Sequence, residues 1–206
     1  MAGDVTTVTV VDIPAPQPTR DPVGLFTVER YFALVDEGLL QPEDRVELLE
    51  GVVVAMAPQN SPHASGVSRV THVLIQALTN RAVVRTQMSF IAGPYSVPEP
   101  DVAVVPGRYE DYDQSHPRAA LLVVEIADSS LKQDRLTKAM IYAAAAVPEY
   151  WIVNVRGQQV EVHRDPDPAA RRYRSVTILR RDGAIDLVAF PDTTVAVDDL
   201  LPVLAR

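Results

Sequence analysis

The chain has 206 residues, of which 47% are hydrophobic and 22% are charged, and this length suits one globular domain with a full core. The formal net charge of -8 argues against a protein that coats nucleic acid by bulk attraction, because such proteins carry a basic footprint. The sequence contains no run of about 18 apolar residues, so it predicts no membrane span. The lack of cysteine excludes disulfides and thiolate metal sites, and the N-terminus shows no secretory pattern, so we expect a cytoplasmic protein.

The N-terminal part of the chain differs in composition from the rest. Residues 1–24 combine four prolines with polar side chains, which predicts a flexible tail. Residues 25–206 are then expected to form a single domain. Thr27 is the predicted N-cap of a first helix. The apolar stripe predicted for this helix consists of Phe32, Val35 and Leu39.

Three further elements are predicted before residue 100. Residues 45–57 suggest two short strands that turn at Gly51, which is a hairpin signal. Residues 63–78 place apolar side chains at helical spacing and predict an amphipathic helix. Residues 83–96 predict another hairpin or one long bent strand.

Two apolar strands in the middle of the chain each carry a carboxylate. Residues 101–105 begin with Asp101, and residues 121–126, whose apolar run predicts burial on both faces, nearly end with Glu125. An ionised carboxylate on a buried strand costs free energy unless something pairs with it. A divalent cation shared by Asp101 and Glu125, with the carbonyl of Ile126 as a third ligand, would remove that cost, because hard cations prefer oxygen ligands.

A helix is predicted directly after the second of these strands. Ser130-x-x-Gln133 has the form of a capping box, and the helix is expected to end near Ala146. Asp134 and Lys138 lie four residues apart on one face, so they can approach each other. A lysine beside a metal pair could orient or deprotonate water, or offset transition-state charge. The apolar stripe predicted for this helix consists of Leu136, Ala139, Met140, Ala143 and Val147.

The remaining sequence completes an α/β pattern. Residues 149–163 predict a hairpin that turns at Gly157, and further strands are predicted at 173–179 and 185–188. Strands and helices therefore alternate in groups, which predicts a mixed sheet with helices packed against it.

Several residues have a plain structural interpretation beside a functional one. Asp and Glu at strand ends often lie at a rim, and a helical lysine is usually solvated. His63 follows Ser61-Pro62 at a helix start and is expected to cap or pack rather than to bind a ligand. Tyr142 is expected in the core or behind the site. Another set, Arg171, Arg172 and Arg174, could contact phosphate or form a solvated strand face.

Taken together, the motifs resemble a known superfamily. Pro100-Asp101, Glu125 at a strand end and a following lysine are similar to the P-D…(D/E)-x-K signature of restriction-endonuclease-like proteins. More closely, the chain resembles a bacterial restriction endonuclease family, formerly a domain of unknown function, over about residues 27–200. The matching stretches are Glu47-Leu-Leu-Glu50-Gly51, Ser61-Pro-His63, Pro100-Asp101-Val102, Val123-Val-Glu125-Ile126, Asp134-Arg-Leu-Thr-Lys138-Ala-Met-Ile-Tyr142 and Val147-Pro-Glu-Tyr-Trp151-Ile-Val.

The resemblance implies a restriction-endonuclease-like mixed β-sheet flanked by helices, with Mg²⁺ or Mn²⁺ held by Asp101 and Glu125. The sequence departs from the signature because Ala127, not lysine, lies two residues after Glu125. In the resembling family the following helix supplies the lysine, which maps onto Lys138, and Lys132 is the nearest rival.

A fourth candidate residue enters through the same resemblance. In that family the residue corresponding to Glu47 lies near the metal site, although a hairpin carboxylate that faces water is an equally good interpretation.

The sequence therefore predicts a metal-dependent endonuclease that hydrolyses phosphodiester bonds of nucleic acid, with DNA as substrate, and that forms a homodimer. The predicted catalytic residues are Asp101, Glu125, Lys138 and Glu47. One alternative is a nuclease-like scaffold that no longer cuts and binds a protein or nucleic-acid partner. Another is a metal hydrolase that acts on a small phosphate ester.

Overall fold

The computed structural model describes the backbone of residues 6–9 and all of residues 24–204. Of the predicted tail, only residues 6–9, which form a strand, and Gly24 lie within the described residues. In this part of the chain there are eleven strands: β1 (Thr6–Thr9), β2 (Val46–Leu49), β3 (Val52–Ala55), β4 (Val83–Thr86), β5 (Val102–Val105), β6 (Leu122–Ala127), β7 (Glu149–Asn154), β8 (Gln159–Asp167), β9 (Arg172–Arg180), β10 (Ala184–Asp186) and β11 (Thr194–Ala196).

The helices are fewer and lie between groups of strands. Within the described ranges the α-helices are α1 (Val28–Asp36), α2 (Ser61–Leu78), α3 (Leu131–Gln133), α4 (Ala139–Ala144) and α5 (Val197–Leu200). A π-helical segment, Asp134–Lys138, joins α3 to α4, and single 3₁₀ turns occupy Pro42–Asp44 and Tyr109–Tyr112. No helix of the described chain is long and apolar enough to cross a membrane.

Seven strands form one mixed sheet in the order β1-β9-β8-β7-β6-β5-β4. β6 and β7 pair in parallel, and the other neighbours pair antiparallel. Every residue of β6 and β7 is buried, as the apolar run of β6 predicts. The β2–β3 hairpin and the β10–β11 pair lie outside this sheet. The predicted mixed sheet with flanking helices is confirmed.

Alternate residues of the central strands supply two cores on opposite faces of the sheet. On one face, Val124 and Ile126 belong to the cluster that contains the apolar stripe of α2. On the other face, Val123 and Ile152 belong to the cluster that contains the buried side chains of α4. The sheet is therefore covered by apolar side chains on both faces.

Two predictions for the N-terminal half are wrong. Residues 83–96 do not form a hairpin, because β4 ends at Thr86, Gln87 adopts a positive φ of 53°, and β4 pairs with β5 instead. In α1, the buried side chains are Val28 and Tyr31, whereas Val35 is exposed and Leu39 lies beyond the helix end. Thr27 does cap this helix, since its hydroxyl accepts a hydrogen bond from the Arg30 N–H.

Close packing between α2 and β6 depends on Gly66. A Cβ atom added there would lie 2.9 Å from Cγ2 of Ile126, a fully buried and branched side chain that has little room to move. We expect Gly66→Ala to lower the free energy of unfolding by about 1–3 kcal/mol, because overpacking outweighs the better helix propensity of alanine. Urea unfolding measures the change. An unchanged or higher midpoint would show that the Ile126 side chain can move away from the added methyl group without loss of stability.

A buried histidine predicts how stability depends on pH. His163 packs between the rings of Tyr150 and Tyr173, and burial lowers its pKa from about 6.5 to about 4. Between pH 6.5 and pH 4 this histidine binds a proton in the unfolded chain but not in the folded one. Its contribution to the free energy of unfolding is therefore fully present above pH 6.5 and is lost as the pH falls toward 4. The loss reaches roughly 3 kcal/mol, since one unit of pKa is worth about 1.4 kcal/mol.

His163→Phe keeps an aromatic ring in this place and removes the titration. We expect the variant to lose about 3 kcal/mol less than the wild type between pH 7 and pH 4, as measured by urea unfolding at a series of pH values. Parallel pH profiles for the two proteins would show that other groups dominate the acid transition.

Candidate active site

The pairing of β5 with β6 brings two carboxylates together. The register sets Val102 opposite Val124, so one step further Asp101 stands opposite Glu125. Residues opposite each other in an antiparallel pair present their side chains on one face of the sheet. Both carboxyl groups line one cleft with room for about 110 Å³, beside Glu47, Asp134 and Lys138. The structure thus brings the predicted acids and the predicted lysine to one place.

Asp101 lies just before β5 and is held by three neighbours. Its Oδ2 atom accepts a hydrogen bond of 2.8 Å from the Ile126 N–H and lies 3.2 Å from Nε2 of His63. Gln87 donates a longer bond, 3.4 Å, to Oδ1. Burial, followed by the charge of Glu125, raises the pKa of Asp101 to about 8, although the Ile126 N–H and Lys138 act in the opposite direction.

Glu125 lies in β6 and binds the lysine. Its Oε1 atom accepts hydrogen bonds from Nζ of Lys138 at 3.0 Å and from the hydroxyl of Tyr142 at 2.6 Å. The same Nζ lies 3.4 Å from Oε2 of Glu47, which β2 of the hairpin carries into the cleft. Glu47 is 4% exposed, so the water-facing interpretation of this residue is wrong. Burial raises the pKa of Glu47, against the opposing charge of Lys138.

The helix that carries Lys138 is not the regular helix expected from the sequence. Ser130 has helical backbone angles, and its hydroxyl donates to Oδ2 of Asp134 at 2.6 Å instead of capping a backbone N–H. The π-helical turn then widens the helix, so that Asp134 and Lys138 are buried while Leu136 is 56% exposed. The predicted capping box and part of the predicted apolar stripe are therefore wrong.

Asp134 adds another buried acid to this group. Burial, followed by the charge of Glu125, raises the pKa of Asp134 to about 7, while Lys138 and the hydroxyl of Ser130 lower it.

The pKa of Lys138 is set by two opposing effects. Burial alone would lower this pKa, but the charges of Glu125, Glu47 and the other acids raise it above its ordinary value. The lysine therefore stays protonated at neutral pH.

The other candidates lie elsewhere. Lys132 is exposed on α3 and forms no ion pair within the described chain, so it does not replace Lys138. Arg171 pairs with Glu50 at 2.5 Å, and Arg174 pairs with Asp167 at 2.8 Å. These two cations already have carboxylate partners, which favours the strand-face interpretation over a phosphate-contact patch.

The sequence does not predict two of the residues that contact Asp101, namely His63 and Gln87. His63 does begin α2, and the side chain of Asn60 caps that helix, but the His63 imidazole points at Asp101 and its Nδ1 atom is buried without a partner. The Ser61-Pro-His63 stretch shared with the resembling family was the available signal. Gln87 carried no signal, because its place depends on the positive φ that ends β4.

The oxygen atoms of the cleft suit a hard divalent cation. Six carboxyl groups line it and only two cationic side chains, Arg45 and Lys138, so the cleft has more acidic groups than its own cations can pair with. The Ile126 N–H points to Asp101, and the carbonyl of a strand residue faces the same strand edge as its N–H, so this carbonyl is directed there too.

Within the described residues no three His, Asp or Glu side chains converge as a preformed metal cluster. A cation would therefore take two carboxylates, one main-chain carbonyl and waters, which is a donor set that Mg²⁺ accepts. A volume of 110 Å³ holds several waters at about 10–15 Å³ each, so the residues present fit a hydrated cation.

Comparison with known proteins identifies the fold and the family of this chain. A solved structure from Anabaena variabilis ATCC 29413, described as a "putative nuclease belonging to DUF820", matches with a TM-score of 0.68 and 17% identity, over 85% of this chain and 97% of that chain. The TM-score shows a shared fold, and an identity this low shows nothing beyond the fold. A search of curated proteins found no match. A family model described as "Putative restriction endonuclease" matches residues 28–198, and the chain therefore belongs to this family, Uma2.

Proposed function

We propose that this protein is a metal-dependent endonuclease that hydrolyses phosphodiester bonds of nucleic acid, with DNA as the substrate. The observation that carries the proposal is the placement of Asp101 beside Glu125 in one buried cleft, with Lys138 bound to Glu125. Burial, followed by the charge of Glu125, raises the pKa of Asp101, and a bound cation would offset both costs by favouring the ionised carboxylate. Membership of the Uma2 family supports the nuclease class.

The carboxylates of Asp101 and Glu125 and the carbonyl of Ile126 would hold Mg²⁺ or Mn²⁺. When bound, such a cation polarises a phosphoryl oxygen and makes hydroxide available from water at neutral pH. The Ile126 N–H and His63 hold Oδ2 of Asp101 in place, so the ligand needs little rearrangement.

Lys138 acts as a fixed positive charge in this proposal. Because its pKa is raised, the ammonium offsets negative charge on the phosphoryl group in the transition state or orients the attacking water by donating to it. Glu47 and Tyr142 set its position: Glu47 attracts the ammonium from the hairpin side, and Tyr142 holds the Glu125 oxygen that the lysine binds. Both act through Lys138 and Glu125.

A second candidate has one observation in its favour. Oε1 of Glu125 is already bound by both Lys138 and Tyr142, so the cleft is partly neutralised by its own side chains. A nuclease-like scaffold that binds a protein or nucleic-acid partner without cutting would need nothing more. Such a scaffold has no need of a cation, whereas the enzyme depends on one.

The test is incubation of the purified protein with plasmid, single-stranded DNA and RNA across concentrations of Mg²⁺ and Mn²⁺. We expect cleavage that requires one of these cations and stops when EDTA is added. Absence of cleavage on all three nucleic acids, together with no heat of Mg²⁺ or Mn²⁺ binding in calorimetry, would favour the scaffold.

The proposal extends to the assembly and organisation of the chain. We infer a tail at residues 1–24 that adds the short strand β1 to the sheet, a single domain at 25–206, and a homodimer in the cytoplasm, since two-fold dimers are the commonest oligomers. Sedimentation of the full chain measures its mass in solution, and a monomer at all concentrations would contradict the dimer.

A further inference from the structure

A second groove opens beside the candidate active site. It lies between α1, the β2–β3 hairpin and the loop that carries His116, and it encloses about 630 Å³. This volume falls within the range of about 300–1,000 Å³ that is usual for small-molecule sites. The two spaces adjoin, because both are lined by Arg45, Met56, Gln59 and Glu99.

One wall of this groove is aromatic. The ring of Phe32 stacks on the imidazole of His116, with centroids 5.2 Å apart and planes 10° apart. Tyr31 meets Phe32 edge-on at 5.6 Å, and its hydroxyl donates to the carbonyl of Val46, which fixes that ring. Burial, followed by the charge of Arg85, lowers the pKa of His116, so its ring is neutral at pH 7. Flat aromatic surfaces of this kind stack nucleobases.

The rest of the groove offers hydrogen-bonding groups of the type that match base edges. The amides of Gln41, Gln59 and Gln87 line it. Side-chain amides pair with the edges of bases because each presents a donor beside an acceptor. The amide of Gln59 forms no hydrogen bond within the described chain, and the Gln41 amide nitrogen donates to the carbonyl of Gly38.

The charges of the two spaces differ. The cleft is lined by more acidic than basic side chains. The groove is nearly balanced, because its charged lining consists of two acids, Asp36 and Glu99, and one base, Arg45. A phosphate needs a cation to enter the cleft, but a neutral base can enter the groove without one. Stacking also supplies affinity that this acidic protein, with a net charge of -8, lacks from bulk electrostatics.

We propose that the groove binds the nucleobase next to the scissile phosphate, and that the substrate is single-stranded or locally unpaired nucleic acid. This inference rests on the proposed nuclease function. The side chains of Asp101 and Glu125 are only 12% and 4% exposed, so the phosphate must enter a recess. A base that is stacked in a duplex cannot enter a lateral groove at the same time, because reaching such a site requires unstacking.

The test measures binding of 2-aminopurine oligonucleotides to the full chain by fluorescence in the presence of Ca²⁺. Single strands of DNA and RNA are compared with the matching duplex, and Phe32→Leu and His116→Ala are compared with the wild type. We expect tighter binding of the single strands and a change in 2-aminopurine fluorescence. We also expect about tenfold weaker single-strand binding in each variant, equivalent to ~1.4 kcal/mol, with duplex binding unchanged.

His72→Ala is the matched control, since His72 is an exposed histidine on α2 that lines neither space. Equal affinity for duplex and single strand, no binding of either, or single-strand affinity unchanged in both variants would overturn the inference. Base-dependent binding without any cation-dependent cleavage would leave the groove assigned and would instead refute the proposed nuclease function.

Discussion

Asp101→Asn is expected to lower cation-dependent cleavage by about a thousandfold or more. The change removes one charged ligand, and a cation supplies several kcal/mol of transition-state stabilisation that depends on its being held in place. Single-turnover cleavage of DNA at saturating Mg²⁺ or Mn²⁺ measures the loss. Undiminished cleavage by this variant would reject the assignment of Asp101 as a ligand.

Stability separates loss of a ligand from loss of the fold. Without a cation, a pKa of about 8 leaves Asp101 mostly protonated at pH 7, and the asparagine oxygen can still accept the Ile126 N–H. We therefore expect the unfolding free energy of the variant to stay within about 1 kcal/mol of the wild type. Adding a cation at a hundred times its dissociation constant should stabilise the wild type by about 2.7 kcal/mol and leave the variant unchanged.

Lys138→Met is expected to lower the free energy of unfolding by about 3–5 kcal/mol. The methionine fills much of the space of the lysine stem but leaves the buried carboxylates of Glu47 and Glu125 without their cation. Urea unfolding at pH 7 in EDTA measures the loss. Cleavage should also fall, because the ammonium that offsets phosphoryl charge is gone.

Two further variants show whether the charge is responsible. Lys132→Met removes an exposed lysine six residues earlier and should change the unfolding free energy by no more than about 0.5 kcal/mol. Combining Lys138→Met with Glu47→Gln should recover part of the lost stability, since one of the unpaired charges is removed. Equal effects of the two lysine substitutions would contradict the ion-pair network.

The meeting of Asp101 and Glu125 could be predicted because it depends on local patterns. Asp101 directly precedes one apolar strand and Glu125 lies in the last part of the next, and consecutive strands usually pair, so the sequence predicts that their side chains lie near each other. The register of β5 on β6 is what makes them direct neighbours. The hairpin that carries Glu47 was also visible in the sequence, but its burial depends on packing against the cleft, which strand patterns do not report.

The helix after β6 shows why the rest could not be predicted. A π-helical turn changes the period for five residues only, too briefly to appear in a hydrophobic pattern. The sequence placed Leu136 in the core and gave Lys138 a solvated alternative, whereas the widened turn exposes the former and buries the latter. Likewise, the approach of His63 to Asp101 joins residues 38 positions apart, and helix capping explained that histidine equally well.

The most direct test of the cation site is calorimetric titration of Mn²⁺ into the wild type and into Asp101→Asn under the same buffer conditions. We predict one Mn²⁺ per chain for the wild type and no measurable binding for the variant. A wild type that binds no Mn²⁺, or a variant that binds it with the same affinity, would contradict a site built on Asp101 and Glu125.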